Sequence, residues 1–276
     1  MVLREKEGKK IVSFHEKEDM KTALGAGREP GYPADCRWED PLVWPTLSRD
    51  EIHLWCSTLN PQPIDSLTRI LSEDELARAR LIQSKPGKGS FVSGRGILRL
   101  VLSRYLGVTP EEISFGYGSQ GKPFLVKPSE QSGIEFSLSH SKNTMILGIT
   151  LDQAIGVDAE YSTHLPDAQA LARRFFSDEE NRLIQSLAGN ARDEAFFRIW
   201  TGKEAFLKAK GLGLTQRLSE IDIPSQRIEL NRFVRMAPGG RQNMSLFLSY
   251  LEPILGLTVA VVAERANSKL AGWRWT

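Results

Sequence analysis

Three carboxylates carry the chemistry for which this chain is equipped. In the run AIGVDAEY, side chains alternate across a strand, so Asp158 and Glu160 share one face while Ile155, Val157 and Ala159 share the other. Two acids spaced this way form half of a site for a hard cation; a solvated polar face of an edge strand is the plainer reading. The other half is offered by FFRIWTGKEAFLKAKG, residues 196–211. At about 100° per residue, Phe196, Trp200 and Leu207 form one stripe flanked by Ile199, Phe206 and Phe197, and Lys203 and Glu204 fall inside that apolar arc. A buried charge is costly unless paired, so this helix either holds a ligand or metal, or its Lys203 and Glu204 satisfy each other or snorkel at the arc's edge. Asp158, Glu160 and Glu204, with no histidine or cysteine beside them, favour Mg2+ or Mn2+ over zinc. Magnesium keeps waters and shares phosphate oxygens. The set therefore predicts a phosphate-bearing substrate, with Lys203 and Lys208 balancing its charge.

Other motifs add donors for such a substrate. Gly121, Lys122 and Pro123 present an exposed lysine on a rigid turn suited to a phosphate. Ser139, His140 and Ser141 end an apolar strand as a compact donor cluster, although a histidine alone there is more often a structural hydrogen-bonder. A formal GxGxxG at Gly116, Gly118 and Gly121 is not a dinucleotide fingerprint, because Pro128 leaves too little room for the helix that must open there. Walker A, HExxH and GxSxG sequences are absent. His15, His53 and His164 have no supporting context.

The elements that must position these groups repeat. LSEDELARARLI opens on a capping box, Ser72 with Glu75, and after a turn at Pro86, Gly87 and Gly89 a second helix runs from about Phe91 to Tyr105 and stops at Gly107. FFSDEENRLIQSL has its own box, Ser177 with Glu180, and the helix starting at Phe196 follows a polar loop and ends at Gly211. Ser72 to Ser177 and Phe91 to Phe196 are both offsets of 105 residues. Strand-like runs, IHLWCSTL, ISFGYG, FSLSH, MILGITL and AIGVDAEY, accompany the helix pairs. An equal offset points to internal duplication. The expected fold is α+β: two similar lobes, 49–155 and 156–276, related by a pseudo-twofold axis with the site in the cleft between them, preceded by a loose extension at 1–48.

With 276 residues, a hydrophobic content of 41% and a charged content of 25%, the chain reads as a soluble globular protein. A net charge of +2 is too mild for a nucleic-acid partner. No apolar run is long enough for a membrane span or signal peptide, which predicts a cytoplasmic protein with no membrane partner. Cys36 and Cys56 have no companions at metal-ligand spacing and are expected to be reduced thiols.

GVDAE, then RRFFSDEE, then FFRIWTGKEAFLKAKGLGL, preceded by GKP and SLSH, resembles the signature of the 4′-phosphopantetheinyl transferases of the surfactin-synthetase-activating type, over roughly residues 50 to 265. The family pattern is G-[IV]-D-x-E, F-[ST]-x-x-E and W-[ST]-x-K-E-[AS]-[FL]-x-K, and the order and spacing match. The chain is also similar to the two-lobed members of that family, in agreement with the repeat. The resemblance implies transfer of the phosphopantetheine arm of coenzyme A to a serine of an apo acyl or peptidyl carrier protein, with release of adenosine 3′,5′-bisphosphate. It implies Asp158, Glu160 and Glu204 as magnesium ligands, and Lys122, Ser139 and His140 as contacts to the coenzyme A phosphates. Arg80 lies where the family has a basic contact to the nucleotide, and Lys208 matches a lysine near the pyrophosphate, beside Lys203. Ala159 stands in place of the commoner isoleucine. Gly202 replaces a bulkier residue and is expected to loosen its helix by roughly 1 kcal/mol.

Within this reading the serine hydroxyl must lose a proton as it attacks, and Glu204 is the expected acceptor, directly or through a metal-bound water; Glu180 is the alternative. Lys208 is expected to act beside Glu204. A carrier-binding module without chemistry, and a metal-dependent hydrolase acting on coenzyme A, are the competing functions. Two fused lobes would supply the cleft internally, so a monomer is expected.

Overall fold

The computed structural model describes residues 2–3, 12–13, 38–59, 64–127, 132–212, 218–223, 232–236 and 246–276. The chain divides into two units, 1–30 and 31–276. In the first, strand β1 (Val2–Leu3) pairs antiparallel with β2 (Val12–Ser13). The rest of the expected loose extension up to residue 37, Cys36 included, lies outside the described residues. Within residues 38–48 two points are fixed to the fold: Trp38 N–H donates to Gly272 C=O at 3.1 Å, and Trp44 stacks on Trp55 with ring centroids 4.5 Å apart, while Leu42 and Val43 are exposed.

The larger unit is a mixed α+β fold. It runs β3 (Glu51–Thr58), α1 (Ile64–Arg69), α2 (Glu73–Arg80), α3 (Lys85–Leu106), β4 (Ser114–Tyr117), β5 (Pro123–Lys127), β6 (Ile134–Ser141), β7 (Thr144–Leu151) and β8 (Ile155–Tyr161). It continues α4 (Ala168–Phe175), α5 (Asp178–Ser186), α6 (Gly189–Lys210), β9 (Ile221–Asp222), β10 (Arg232–Met236), β11 (Leu246–Leu251), β12 (Leu257–Ala263) and β13 (Lys269–Trp275). One sheet has the order β13-β3-β7-β6 and the other β8-β12-β11-β10-β9; β4 and β5 form a separate hairpin. Among the described residues, the pairings in these sheets are antiparallel except that of β13 with β3.

Strand alternation divides each sheet into two apolar faces. Ile52, Leu54, Cys56 and Ile146 of the first sheet share a core with Ile155, Val157, Ala159, Val259 and Val261 of the second, so the sheets lie face to face. The opposite face of the first sheet, with Trp55, Leu147 and Ile149, packs on Ile97, Leu98, Val101 and Leu102 of α3. Helix α6 covers β8 and β12 on the far side of the second sheet. Burial pushes the free Cys56 thiol up to about 11, keeping it protonated and inert.

Both capping boxes form as the sequence predicts, and both long helices stop at a glycine in the left-handed conformation, Gly107 at φ 67° and Gly211 at φ 65°. The helix starts differ from expectation. The Pro86–Gly89 segment is not a turn but the first turn of α3, capped by the Ser84 hydroxyl; proline is tolerated there because the N–H it lacks has no helical partner. Likewise the polar loop before Phe196 is already helical from Gly189.

The candidate active site

The site is built where β8 meets α6. A Cβ at Gly156 would stand 1.9 Å from the Ala205 carbonyl oxygen and 2.4 Å from the Ala209 nitrogen, so only glycine allows the helix to lie this close to the strand. The same contact fixes the acids. Ile155, Val157 and Ala159 point into the core between the sheets, which leaves Asp158 and Glu160 on the face that Gly156 turns toward α6. Lys208 reaches back from the last turn of α6, its Nζ 2.8 Å from Asp158 Oδ1 and 3.1 Å from the Val157 carbonyl.

Asp158 is 5% exposed, which rules out a solvated edge for it. Its Oδ1 also accepts from Ser139 Oγ at 2.8 Å, while its Oδ2 is buried and has no hydrogen-bond partner among the described residues. Glu160 Oε2 accepts from Ser141 Oγ at 2.9 Å. Burial, and then the Asp158 charge, push the Glu160 carboxyl up to about 7. Glu204 is likewise pushed up to about 7, by burial first and then by Asp158, with Glu160 adding to the rise and Lys208 opposing it. Three acids thus repel one another across one junction, and an orphaned carboxylate oxygen lies among them. Among the described residues no group of three or more His, Cys, Asp or Glu side chains is close enough together to hold a metal ion, and Lys208 is the cation that faces these acids. Hard oxygen donors, mutual repulsion and an unpartnered Oδ2 fit a divalent cation of the magnesium kind.

The remaining predicted residues separate. Lys203 is 0% exposed, ion-paired to Glu180 Oε2 at 2.6 Å, and donates to the carbonyls of Leu218, at 2.8 Å, and Ile221. Its three protons are all engaged, so it is a buried structural cation with none left for a phosphate. Glu180 also accepts from the backbone N–H groups of Ser177 and Ile223, which takes it out of consideration as a base. Lys122 does not project from its turn. Its ammonium donates to the carbonyls of Ile155 at 2.9 Å and Lys208 at 2.8 Å, stapling the start of β8 to the end of α6. His140 stands exposed at the end of β6. Arg80 ends α2 with its side chain 64% exposed and Glu73 at 3.9 Å. The cavity of about 540 Å³ beside Trp44, Arg104 and Tyr105 is lined by none of these residues.

Sequence reasoning missed Ser137, whose Oγ accepts from Val157 N–H at 2.9 Å, and gave Ser139 and Ser141 to a phosphate rather than to Asp158 and Glu160. The i, i+2, i+4 serine spacing in FSLSHS was the available signal. Gly202 is explained by packing: its Cβ would lie 2.4 Å from the Tyr250 hydroxyl, which donates to the Arg198 carbonyl at 2.7 Å.

Residues 154–243 match the family model of the 4′-phosphopantetheinyl transferase superfamily. The 4′-phosphopantetheinyl transferase HetI of Nostoc sp. (strain PCC 7120) is 44% identical over 181 residues, 64% of this chain and 76% of the relative. The chain belongs to the 4′-phosphopantetheinyl transferase superfamily. A putative transferase of the same kind from Synechocystis sp. is 35% identical, covering 63% of this chain and 70% of its own. The 4′-phosphopantetheinyl transferase of Bacillus subtilis is 26% identical, over 58% and 68% respectively. Among the described residues, no helix of this transferase is long and apolar enough to cross a membrane.

Proposed function

We propose that this transferase moves the 4′-phosphopantetheine moiety of coenzyme A to a serine hydroxyl of an apo acyl or peptidyl carrier protein, releasing adenosine 3′,5′-bisphosphate. The observation that carries the reading is the junction of β8 and α6, where Asp158, Glu160, Glu204 and Lys208 interact. Asp158, Glu160 and Glu204 would hold Mg2+, or Mn2+ in its place, which when bound neutralises the pyrophosphate and makes it a better electrophile. Lys208, paired with Asp158, adds a fixed positive charge beside the same oxygens. Glu204 takes the proton that the carrier serine gives up. A cation on these acids favours the ionised carboxylate, the form able to accept that proton, and Glu180, saturated by Lys203 and two backbone N–H groups, is not competing for it. His140 and Arg80, both exposed, are the residues through which coenzyme A phosphates would be met; Ser139 reaches them only by leaving Asp158.

The halves 49–155 and 156–276 are read as a duplicated unit with a pseudo-twofold relation. Matching capping boxes, matching long helices and the facing of β6 and β8 beside the acid set support this reading, and it would let a single chain work as a monomer in the cytoplasm. An apo carrier protein incubated with coenzyme A, Mg2+ and the enzyme is expected to gain one phosphopantetheine in a mass spectrum. No gain sinks the proposal, and bisphosphate released without any carrier favours hydrolysis of coenzyme A instead.

A further inference from the structure

Strand β8 is an edge strand, and so is β6 of the other sheet. An edge presents backbone groups that must find partners, and here side chains supply them. The Ile155 carbonyl takes Lys122, the Val157 carbonyl takes Lys208, the Val157 N–H goes to Ser137, and the Tyr161 N–H goes to Ser141. Ser137, Ser139 and Ser141 lie on one face of β6 and are 3%, 6% and 8% exposed. They divide the work. Ser137 is bonded to β8 backbone and Ser139 to a carboxylate, whereas Ser141 does both, accepting from Tyr161 N–H at 3.1 Å and donating to Glu160 Oε2 at 2.9 Å.

Those two hydrogen bonds fix the hydroxyl. With one lone pair held by a backbone N–H, the single proton of Ser141 is directed at Glu160, whose flexible side chain has no other hydrogen bond or ion pair among the described residues. We propose that Ser141 is a positioning residue for the divalent cation, anchoring the Glu160 carboxylate to the β8 backbone so that its oxygens are oriented before an ion arrives. The inference rests on the reading of Asp158, Glu160 and Glu204 as cation ligands. Groups that orient a metal ligand through a hydrogen bond commonly govern affinity by roughly 10- to 100-fold.

Mn2+ titrations of the full chain followed by electron paramagnetic resonance, with and without coenzyme A, test it. Ser141→Ala is expected to weaken Mn2+ binding by about tenfold, and Ser141→Thr to keep it. Ser141→Val has the shape of the threonine without its hydroxyl, so the Thr and Val pair gives the answer even if the alanine variant folds poorly. Ser137→Ala, which removes a bond to backbone alone, is expected to lower the melting temperature and leave Mn2+ affinity unchanged. Equal Mn2+ affinity in the unaltered chain and in the Ala and Val variants overturns the role of Ser141 while leaving the cation site standing. An unaltered chain that binds no Mn2+ under either condition overturns both.

Discussion

His53 and Trp55 on β3 stand 105 residues before Asp158 and Glu160 on β8, and each pair faces the long helix of its own half. The two junctions are finished differently. In the first, Tyr105 of α3 pairs the two polar groups of the strand: its hydroxyl lies 2.8 Å from His53 Nδ1 and accepts from Trp55 Nε1 at 3.0 Å, with Trp273 stacked beside Trp55 at 5.5 Å. In the second, two acids on the strand and one on the helix repel each other, and an oxygen of Asp158 has no partner among the described residues. A satisfied network serves to hold a core together; an unsatisfied one stores electrostatic tension that a ligand can release. The comparison supports the proposed placement of the chemistry in the second of the two junctions.

The largest expected effect is on that asymmetry. Asp158→Asn and Glu204→Gln should each lower carrier modification by about 1,000-fold, since removing a metal's charge stabilisation costs several kcal/mol of barrier. His53→Gln, in the first junction, should cost stability and leave turnover within a few-fold. Comparable loss of transfer in all three variants, read by mass spectrometry of the carrier, would abolish the distinction.

Next come the buried ion pairs, where the halves agree. Glu75 with Arg99, 2.8 Å apart, and Glu180 with Lys203, 2.6 Å apart, each join a capping-box glutamate to the long helix that follows it. Arg99→Met and Lys203→Met should each destabilise the fold by about 3–5 kcal/mol, because a buried carboxylate loses its nearest cation, and the loss should be the smaller at Glu75, which keeps Arg95 at 4.0 Å. Adding Glu180→Gln to Lys203→Met should recover part of the loss in urea unfolding. A cost below about 1 kcal/mol would mean water reaches these pairs.

Smaller effects follow from the glycines. Gly156→Ala drives a methyl into helix backbone and should cost about 1–3 kcal/mol while prying Glu204 and Lys208 from Asp158, so activity falls further than stability. Gly148→Ala, whose nearest neighbours are the Val157 and Ile155 side chains at 2.6 and 2.8 Å, meets groups that can shift and should cost less. The reverse order in paired denaturation and activity measurements would show that the strand–helix contact yields easily.

The smallest effect is the dependence on pH, and its sign differs between junctions. Burial pushes His53 down to about 4 from its ordinary 6.5, so the unfolded chain binds more protons in that window and the first junction loses stability as pH falls through it. Glu160 and Glu204, raised to about 7 from 4.5, bind more protons when folded, so the second junction gains stability as pH falls from about 7 to 4.5. Each contribution should be of order 1 kcal/mol once solvent screening is allowed for. Unfolding of His53→Gln and Glu204→Gln across this range should flatten opposite slopes, and Mg2+ should flatten the second because a cation favours the ionised acids.

Local grammar was legible in the chain. Ser72 and Ser177 announced their helices and Gly107 and Gly211 ended them, because capping and left-handed φ are decided within a few residues. The acids on β8 were readable from alternation alone. Partner choice was not. Lys203 looked free for a phosphate because Glu180 and the carbonyls of Leu218 and Ile221 reach it only through tertiary packing. Lys122 seemed exposed because the two carbonyls that hold it lie 33 and 86 residues away. The serines of β6 were assigned to a ligand for the same reason: their partners are on another sheet.

Strand β13 returns from residues 269–275 to lie parallel to β3, as the outer strand of the first sheet. A fragment ending near residue 155 would therefore bare the flank of β3 and uncover Trp55, presenting an unpaired apolar border of the kind that drives sheets to stick together. Severing the polypeptide midway and supplying the pieces separately should give an insoluble front piece, rescued only when the rear piece is made alongside it.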